Sequence, residues 1–241
     1  MEAFASSDIG KIRDMNQDSY YISNEQDEIK LYIVADGMGG YKGGEIASKL
    51  AIESSKNYIY NNFNKIEKNK EDILDLLKKA IEYANMVVYE KSQEVEELNG
   101  MGTTIDVCLI YSNRAYIGHI GDSRVYRARR EFFRKLTKDH SYVQKLVDEG
   151  NITKEEAYNH PKKNMLTKAL GCTAFVEPDV MVKGFLKDDI LLMCTDGLTN
   201  MVRDELIYDI IKENPRSAST NLVKKANELG GYDNITAVII L

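Results

Sequence analysis

The chain has 241 residues, 43% hydrophobic and 29% charged, a balance that suits one domain, residues 1–241, with a sizeable core. A formal charge of -6 and a pI near 5.3 exclude the strong basic excess of a general nucleic-acid binder. No apolar run approaches the ~18 residues of a membrane helix, and the opening Met1-Glu-Ala-Phe-Ala-Ser-Ser-Asp8 lacks the basic and apolar regions of a signal peptide. Cys108, Cys172 and Cys194 lack metal-ligand spacing, and Cys108 and Cys194 lie in apolar runs that suit reduced, buried thiols. A cytoplasmic, monomeric protein without membrane or nucleic-acid partners is expected.

In chain order, strands are predicted over 3–7, 19–23 and 29–35. Two helices follow. One covers about 44–61; in the other, Ile73, Leu77, Ala80, Ile81, Ala84, Val87 and Val88 share a face at 3.6-residue spacing. Strands resume over 103–111, 114–120, 123–128 and 132–136, with Asn113 and Gly121-Asp122 supplying turn chemistry. Alternation along the last two puts Arg124, Arg127, Arg129, Arg130, Arg134 and Lys135 on the solvated face of a hairpin.

A polar stretch over 140–168 breaks this rhythm, with short helices near 142–149 and 153–159, and reads as a surface flap. Strands over 180–185 and 190–194, helices over 204–213 and 217–229, and an apolar strand to Leu241 complete the chain. Antiparallel strands with paired helices predict an α+β, four-layer αββα sandwich: two mainly antiparallel sheets flanked by helix pairs.

The chemistry lies where apolar segments meet aspartate-bearing turns. Leu31-Tyr-Ile-Val-Ala leads into Asp36-Gly37, Ala115-Tyr-Ile-Gly-His-Ile into Gly121-Asp122, and Ile190-Leu-Leu-Met-Cys-Thr into Asp196-Gly197. Asp233-Asn234 precedes the final apolar run. Carboxylates at strand ends have fixed directions, and adjacent glycines let a cation approach the backbone. Four such sites suggest hard oxygen ligands gathered for divalent ions, and so a hydrolase. A dinucleotide fingerprint fails, because G-x-G-x-x-G from Gly37 reaches Lys42 at its third glycine, and Asp36 would repel a pyrophosphate. Arg13-Asp14-Met15-Asn16-Gln17-Asp18 adds a guanidinium suited to phosphate, and a carboxylate, Asp18, able to hold a water beside the ions.

The ordered set of motifs resembles the PPM family of metal-dependent Ser/Thr protein phosphatases (type 2C), especially its compact bacterial members. It comprises Arg13-x-x-Asn16-Gln17-Asp18, Val34-Ala-Asp36-Gly37-Met38-Gly39-Gly40, Gly44-Glu45-Ile-Ala47-Ser48 and Met101-Gly102-Thr103-Thr104. Gly118-His-Ile-Gly121-Asp122-Ser123-Arg124, Leu136-Thr-Lys-Asp139-His140-Ser141 and Leu166-Thr-Lys-Ala169-Leu170-Gly171 follow. Thr195-Asp196-Gly197-Leu198 and Asp233-Asn234-Ile235-Thr236 close it. The resemblance implies that Asp36 bridges two Mn2+ or Mg2+ ions, with the Gly37 carbonyl completing one site and Asp196 and Asp233 the other. It further implies a third ion between Asp122 and Asp196, substrate phosphate on Arg13, and direct attack by an activated water. Phosphorylated proteins are the implied substrates, and a Hanks-type Ser/Thr kinase the implied counterpart.

Two departures stand out. Gln17 replaces a glutamate of many eukaryotic members. Met38 replaces a histidine that many members use to protonate the leaving alkoxide, which a thioether cannot do. Of the three histidines, His160 on the flap is the candidate substitute, whereas His119 reads as structural and His140 as orienting a turn. Two other classes remain to be separated by assay: a silent phosphoprotein-binding module, which the intact Asp36, Asp196 and Asp233 argue against, and a phosphatase of nucleotides or small molecules.

Overall fold

Side-chain alternation builds the molecule, seen in a computed structural model that describes residues 1–40 and 42–241. The first sheet contains β1 (Ala3–Asp8), β7 (Arg124–Arg129), β8 (Phe132–Lys135), β10 (Ile190–Cys194) and β11 (Ile235–Ile240), ordered β1-β11-β10-β7-β8. The second contains β2 (Asp18–Ile22), β3 (Lys30–Met38), β5 (Ile105–Tyr111), β6 (Arg114–Ile120) and β9 (Asp179–Gly184) in that order, with β4 (Gly102–Thr103) on the end of β3. All these pairings are antiparallel.

Successive residues of each strand enter different cores. Tyr32 and Val34 of β3 face Met193 of β10 and Val238 of β11 between the sheets. Leu31, Ile33 and Ala35 point the other way, onto α1 (Gly43–Asn62) and α2 (Lys70–Glu94). On the far side Leu192, Ala237 and Ile239 meet α5 (Asp196–Thr199), α6 (Asp204–Glu213) and α7 (Ala218–Glu228). The four-layer sandwich is therefore present, and each fully buried Leu or Ile contributes roughly 1.5–3 kcal/mol. Among the described residues no helix is long and apolar enough to cross a membrane.

Local chemistry explains the element ends. Asn69 caps α2 by accepting from the Asp72 amide at 2.9 Å, and Glu71 and Asp72 complement the helix dipole. Val87 is only partly buried, since the packed face centres on Leu77, Ile81, Ala84 and Val88. The strand expected over 103–111 is interrupted, because Thr104 leaves the ladder to bond Asp36: it donates its amide to the Asp36 carbonyl, and its Oγ1 accepts from the Asp36 amide, both at 2.9 Å.

The basic hairpin corrects the expectation of a solvated face. Arg130 and Arg134 are exposed, but Arg124 and Lys135 converge on the buried Asp139 at 2.7 and 2.9 Å. Arg129 pairs with Asp189 at 2.6 Å, and Arg127 donates to the Gly184 carbonyl of the other sheet at 2.9 Å. Buried carboxylates at the sheet edge drew these cations inward, which charge alternation alone could not show.

The flap carries α3 (Tyr142–Asp148), capped by Ser141, and α4 (Lys154–Tyr158), held by a Thr153/Glu156 capping box. Its base is closed where Thr167 donates its amide to the His140 carbonyl and Tyr142 to Met165, both at 2.8 Å. Its outer end is clasped to the core: Arg203 pairs with Glu155 at 2.7 Å and stacks 3.5 Å from the Tyr158 ring centre. The Tyr158 hydroxyl also donates to the Asn200 carbonyl at 3.0 Å.

Candidate metal centre

Strand register brings the predicted aspartates to one rim. Asp36 on β3 lies directly across from Asp18 on β2. In the other sheet Cys194, the last residue of β10, pairs with Arg124 on one side and Ala237 on the other. Asp196 just after β10, Asp122 just before β7 and Asp233 just before β11 therefore share that end. Asp36, Asp122, Asp196 and Asp233 line one cleft of about 230 Å³ with Arg13, Gly37 and Met38, and the flap supplies Asn164 and Leu166 to it. A Cβ at Gly37 would overlap the Gly44 carbonyl at the start of α1, so only glycine permits this close approach.

The scaffold holds the backbone of Asp36 and the carboxylates of Asp196, Asp233 and Asp18. Thr103 Oγ1 donates to the Asp36 carbonyl at 2.9 Å, beside the paired Thr104 bonds. Asn200 Nδ2 donates to Asp196 Oδ2, and Arg13 Nη2 to Asp233 Oδ2, each at 2.9 Å. Asn234 staples the Arg13 loop: its Oδ1 accepts from the Gln17 amide at 2.8 Å, and its Nδ2 donates to the Ile9 and Met15 carbonyls at 2.9 Å. Asp18 sits behind the cleft, where Oδ2 accepts from Thr236 at 2.7 Å and Thr195 at 2.9 Å. Its buried Oδ1 has no partner among the described residues.

Burial, and then mutual repulsion, dominate the electrostatics. Burial pushes Asp18 up to about 7; the Thr236 and Thr195 hydroxyls oppose this, while the charges of Asp196 and Asp233 add to it. Asp36 is raised well above the carboxylate range by burial and then by Asp18 and Asp196. Burial and Asp196 do the same to Asp122, and burial and Asp233 raise Asp196. Among the described residues no three acidic, histidine or cysteine side chains close on a single point: Asp233 turns to Arg13 and Asp196 to Asn200. The donors are nonetheless all oxygen and mutually repelling, a set that multivalent cations would neutralise. The orphaned Asp18 Oδ1 fits the same need.

The histidines divide as their surroundings dictate. His119 is fully buried, with Nδ1 2.7 Å from Asp106 Oδ1 and Nε2 3.0 Å from the Lys138 carbonyl. Burial disfavours its charge, but the Asp106 carboxylate outweighs this and raises its pKa; burial likewise raises Asp106. His140 stacks on it at 4.8 Å and grips Gly121, accepting from its amide at 3.2 Å and donating to its carbonyl at 2.7 Å. Both therefore brace the Asp122 turn. His160 is not among the cleft-lining residues, and its Nδ1 accepts from the Lys162 amide at 3.0 Å.

Sequence reasoning missed the supports. Thr195, Thr236, Thr104, Asn200 and Asn234 all hold site residues; four of them lie inside the quoted motifs, which is the available signal, but the motifs alone give them no role.

A family model described as Protein phosphatase 2C matches residues 12–224. The serine/threonine phosphatase stp of Listeria welshimeri is 38% identical, over 100% of this chain and 95% of its own length. Protein phosphatase PhpP of Streptococcus pneumoniae is 36% identical, over 100% and 97%. Among solved structures, the catalytic domain of the serine/threonine protein phosphatase PstP, in complex with two manganese ions, superposes with a TM-score of 0.86 at 34% identity, covering 99% of this chain and 96% of its own.

Proposed function

This chain belongs to the protein phosphatase 2C family of serine/threonine phosphatases, and we propose that it hydrolyses phosphoserine and phosphothreonine in proteins at the Asp36 cleft, using Mn2+ or Mg2+. The observation that carries this reading is the convergence of Asp36, Gly37, Asp122, Asp196 and Asp233 on one cleft beside Arg13. Asp36 would hold two ions, with Gly37 on one and Asp196 and Asp233 on the other; Asp122 with Asp196 would hold a third. Bound there, such ions polarise phosphoryl oxygens and lower the pKa of water towards neutrality. The manganese in the related PstP structure supports Mn2+ as the ion to test first.

The chain's own groups do the rest. Arg13 exchanges Asp233 for a substrate phosphate, offering paired donors to its oxygens. Asp18, anchored by two threonines, orients water in the cleft. Met38 has no proton to give, so the leaving alkoxide takes its proton from water. Residues 1–241 act as one catalytic domain, and the flap over 140–168 helps select the substrate. The enzyme is a cytoplasmic monomer opposing a Ser/Thr kinase.

The decisive assay compares a phosphothreonine peptide with a nucleotide, each with Mn2+ and with chelator. Mn2+-dependent turnover of the peptide in preference to the nucleotide is expected. Nucleotide preference, or peptide binding without turnover, would overturn the reading. Arg13→Ala should raise KM for the peptide roughly 10- to 100-fold with a smaller change in kcat, since charge-assisted hydrogen bonds contribute about 1.5–3 kcal/mol. An unchanged KM in steady-state kinetics would remove Arg13 from phosphate capture.

A further inference from the structure

A second hollow of about 340 Å³ adjoins the catalytic cleft and shares Met38 and Leu166 with it. From there it runs over Ala169 and Cys172 to Phe175 and Val176. Two of its lining side chains meet over Gly102: a Cβ there would stand 2.8 Å from Met38 Cε and 2.9 Å from Cys172 Sγ. Both side chains therefore reach across a bare backbone, and Met38 and Leu166 stand where cleft and hollow adjoin.

Phe175 stands at the outer end with 91% of its surface exposed. A side chain so exposed contributes nothing to the core, and the loop that carries it is not slack. The buried Asn85 of α2 accepts from the Gly171 amide at 2.9 Å and donates to the Thr173 and Ala174 carbonyls at 3.0 and 3.2 Å. The Thr173 hydroxyl donates to the Phe175 carbonyl at 2.8 Å. An aromatic held out on a braced loop, next to a trough that Leu166, Ala169 and Val176 share with Lys168 and Glu177 at its margin, has the features of a preorganised contact surface.

We propose that this groove receives an apolar side chain flanking the phosphorylated residue of the substrate, so that the enzyme favours phosphopeptides with a large aliphatic or aromatic neighbour. The inference rests on the phosphatase reading and adds a sequence preference to it. Continuity with the cleft selects this occupant: a peptide whose phosphate reaches the Asp36 cleft must lay its next residues across the rim, and Met38 and Leu166 form that rim.

The test uses the full Mn2+-loaded chain and phosphothreonine peptides in which leucine, lysine or aspartate is walked through the flanking positions. Leucine at one or more of them should raise kcat/KM. Phe175→Ser should remove roughly 3- to 10-fold of that advantage, the range an aromatic contact supplies, while leaving para-nitrophenyl phosphate hydrolysis unchanged. Cys172 gives a second readout, since it is exposed while Cys108 and Cys194 are buried: the leucine peptide should slow its labelling by a bulky maleimide, and the label should block that peptide but not the small ester. Equal use of all flanking residues, or an equal loss on every substrate in Phe175→Ser, would overturn the proposal. A dimer that Phe175→Ser dissociates would overturn it too, by assigning the groove to a second copy. Failure of wild type on the small ester and all peptides would instead sink the phosphatase reading.

Discussion

Asp36→Asn should lower Mn2+-dependent hydrolysis of a phosphothreonine peptide by roughly three orders of magnitude, about 4 kcal/mol of transition-state stabilisation, and Asp196→Asn should do the same. Asparagine keeps the size of the side chain but not its charge. Asp36 sits among Asp18, Asp122, Asp196 and Asp233, whose charges each raise its pKa after burial has done so. Neutralising it therefore removes the proposed cation ligand and relieves repulsion among its neighbours at once. The variant should lose activity while melting, in chelator, at or above the wild-type temperature. A merely structural role for Asp36 would give the opposite, activity and melting temperature falling together. Full turnover by Asp36→Asn would sink the assignment outright.

The local parts of this architecture were legible in the sequence. The strands over 114–120 and 190–194 and the helix over 204–213 have the expected bounds, because each carries its own period and its own turn residues. What was not legible depends on partners distant in sequence. Thr104 breaks a continuous apolar run because Asp36, 68 positions earlier, takes its hydrogen bonds. Asp196 starts a short helix rather than a turn, since Leu198 is fully buried in the outer core. Arg124 and Lys135 lie in an alternating hairpin that looks solvated until Asp139 is seen beneath it.

The site divides the same way. Apolar runs ending in Asp-Gly pointed to Asp36 and Asp196 directly, whereas the alignment of Asp122, Asp196 and Asp233 follows from the register of β10 with β7 and β11, and Asp36 meets them from the other sheet. The hydroxyls on Asp18 come from Thr195 and Thr236, each 177 or more positions away, and although both sit in the motifs, nothing local announces their pairing with Asp18. The groove beside the cleft is less legible still, since Met38, Gly102 and Cys172 meet only in the fold.

Charge crowding at the rim has a measurable consequence for stability. A carboxyl of ordinary pKa in the unfolded chain, raised to about 7 in the fold, binds more protons folded than unfolded between about pH 4 and 7. Its stabilisation is complete below about pH 4 and is lost as the pH climbs through 7. For Asp18 the shift from 3.8 to about 7 corresponds to roughly 4 kcal/mol at most. Asp36, Asp122 and Asp196 shift in the same direction. Asp139 and Asp189 are held below the ordinary range by their cations against the pull of burial, so they act below pH 4. His140, lowered to about 4 mainly by burial, works oppositely within the window, gaining stability as pH rises from 4 to 6.5. That contribution is common to chelated and Mn2+-loaded protein and cancels in their difference. The melting-temperature gain from saturating Mn2+ should therefore grow steadily between about pH 5 and 8, because the ions replace repulsion that only the deprotonated cluster suffers. Asp18→Asn should raise the melting temperature of chelated protein at about pH 8, by roughly 2–4 °C for each kcal/mol recovered, and flatten its slope with pH. A Mn2+ gain that is flat across this range would show that the carboxylates do not titrate as one crowded centre.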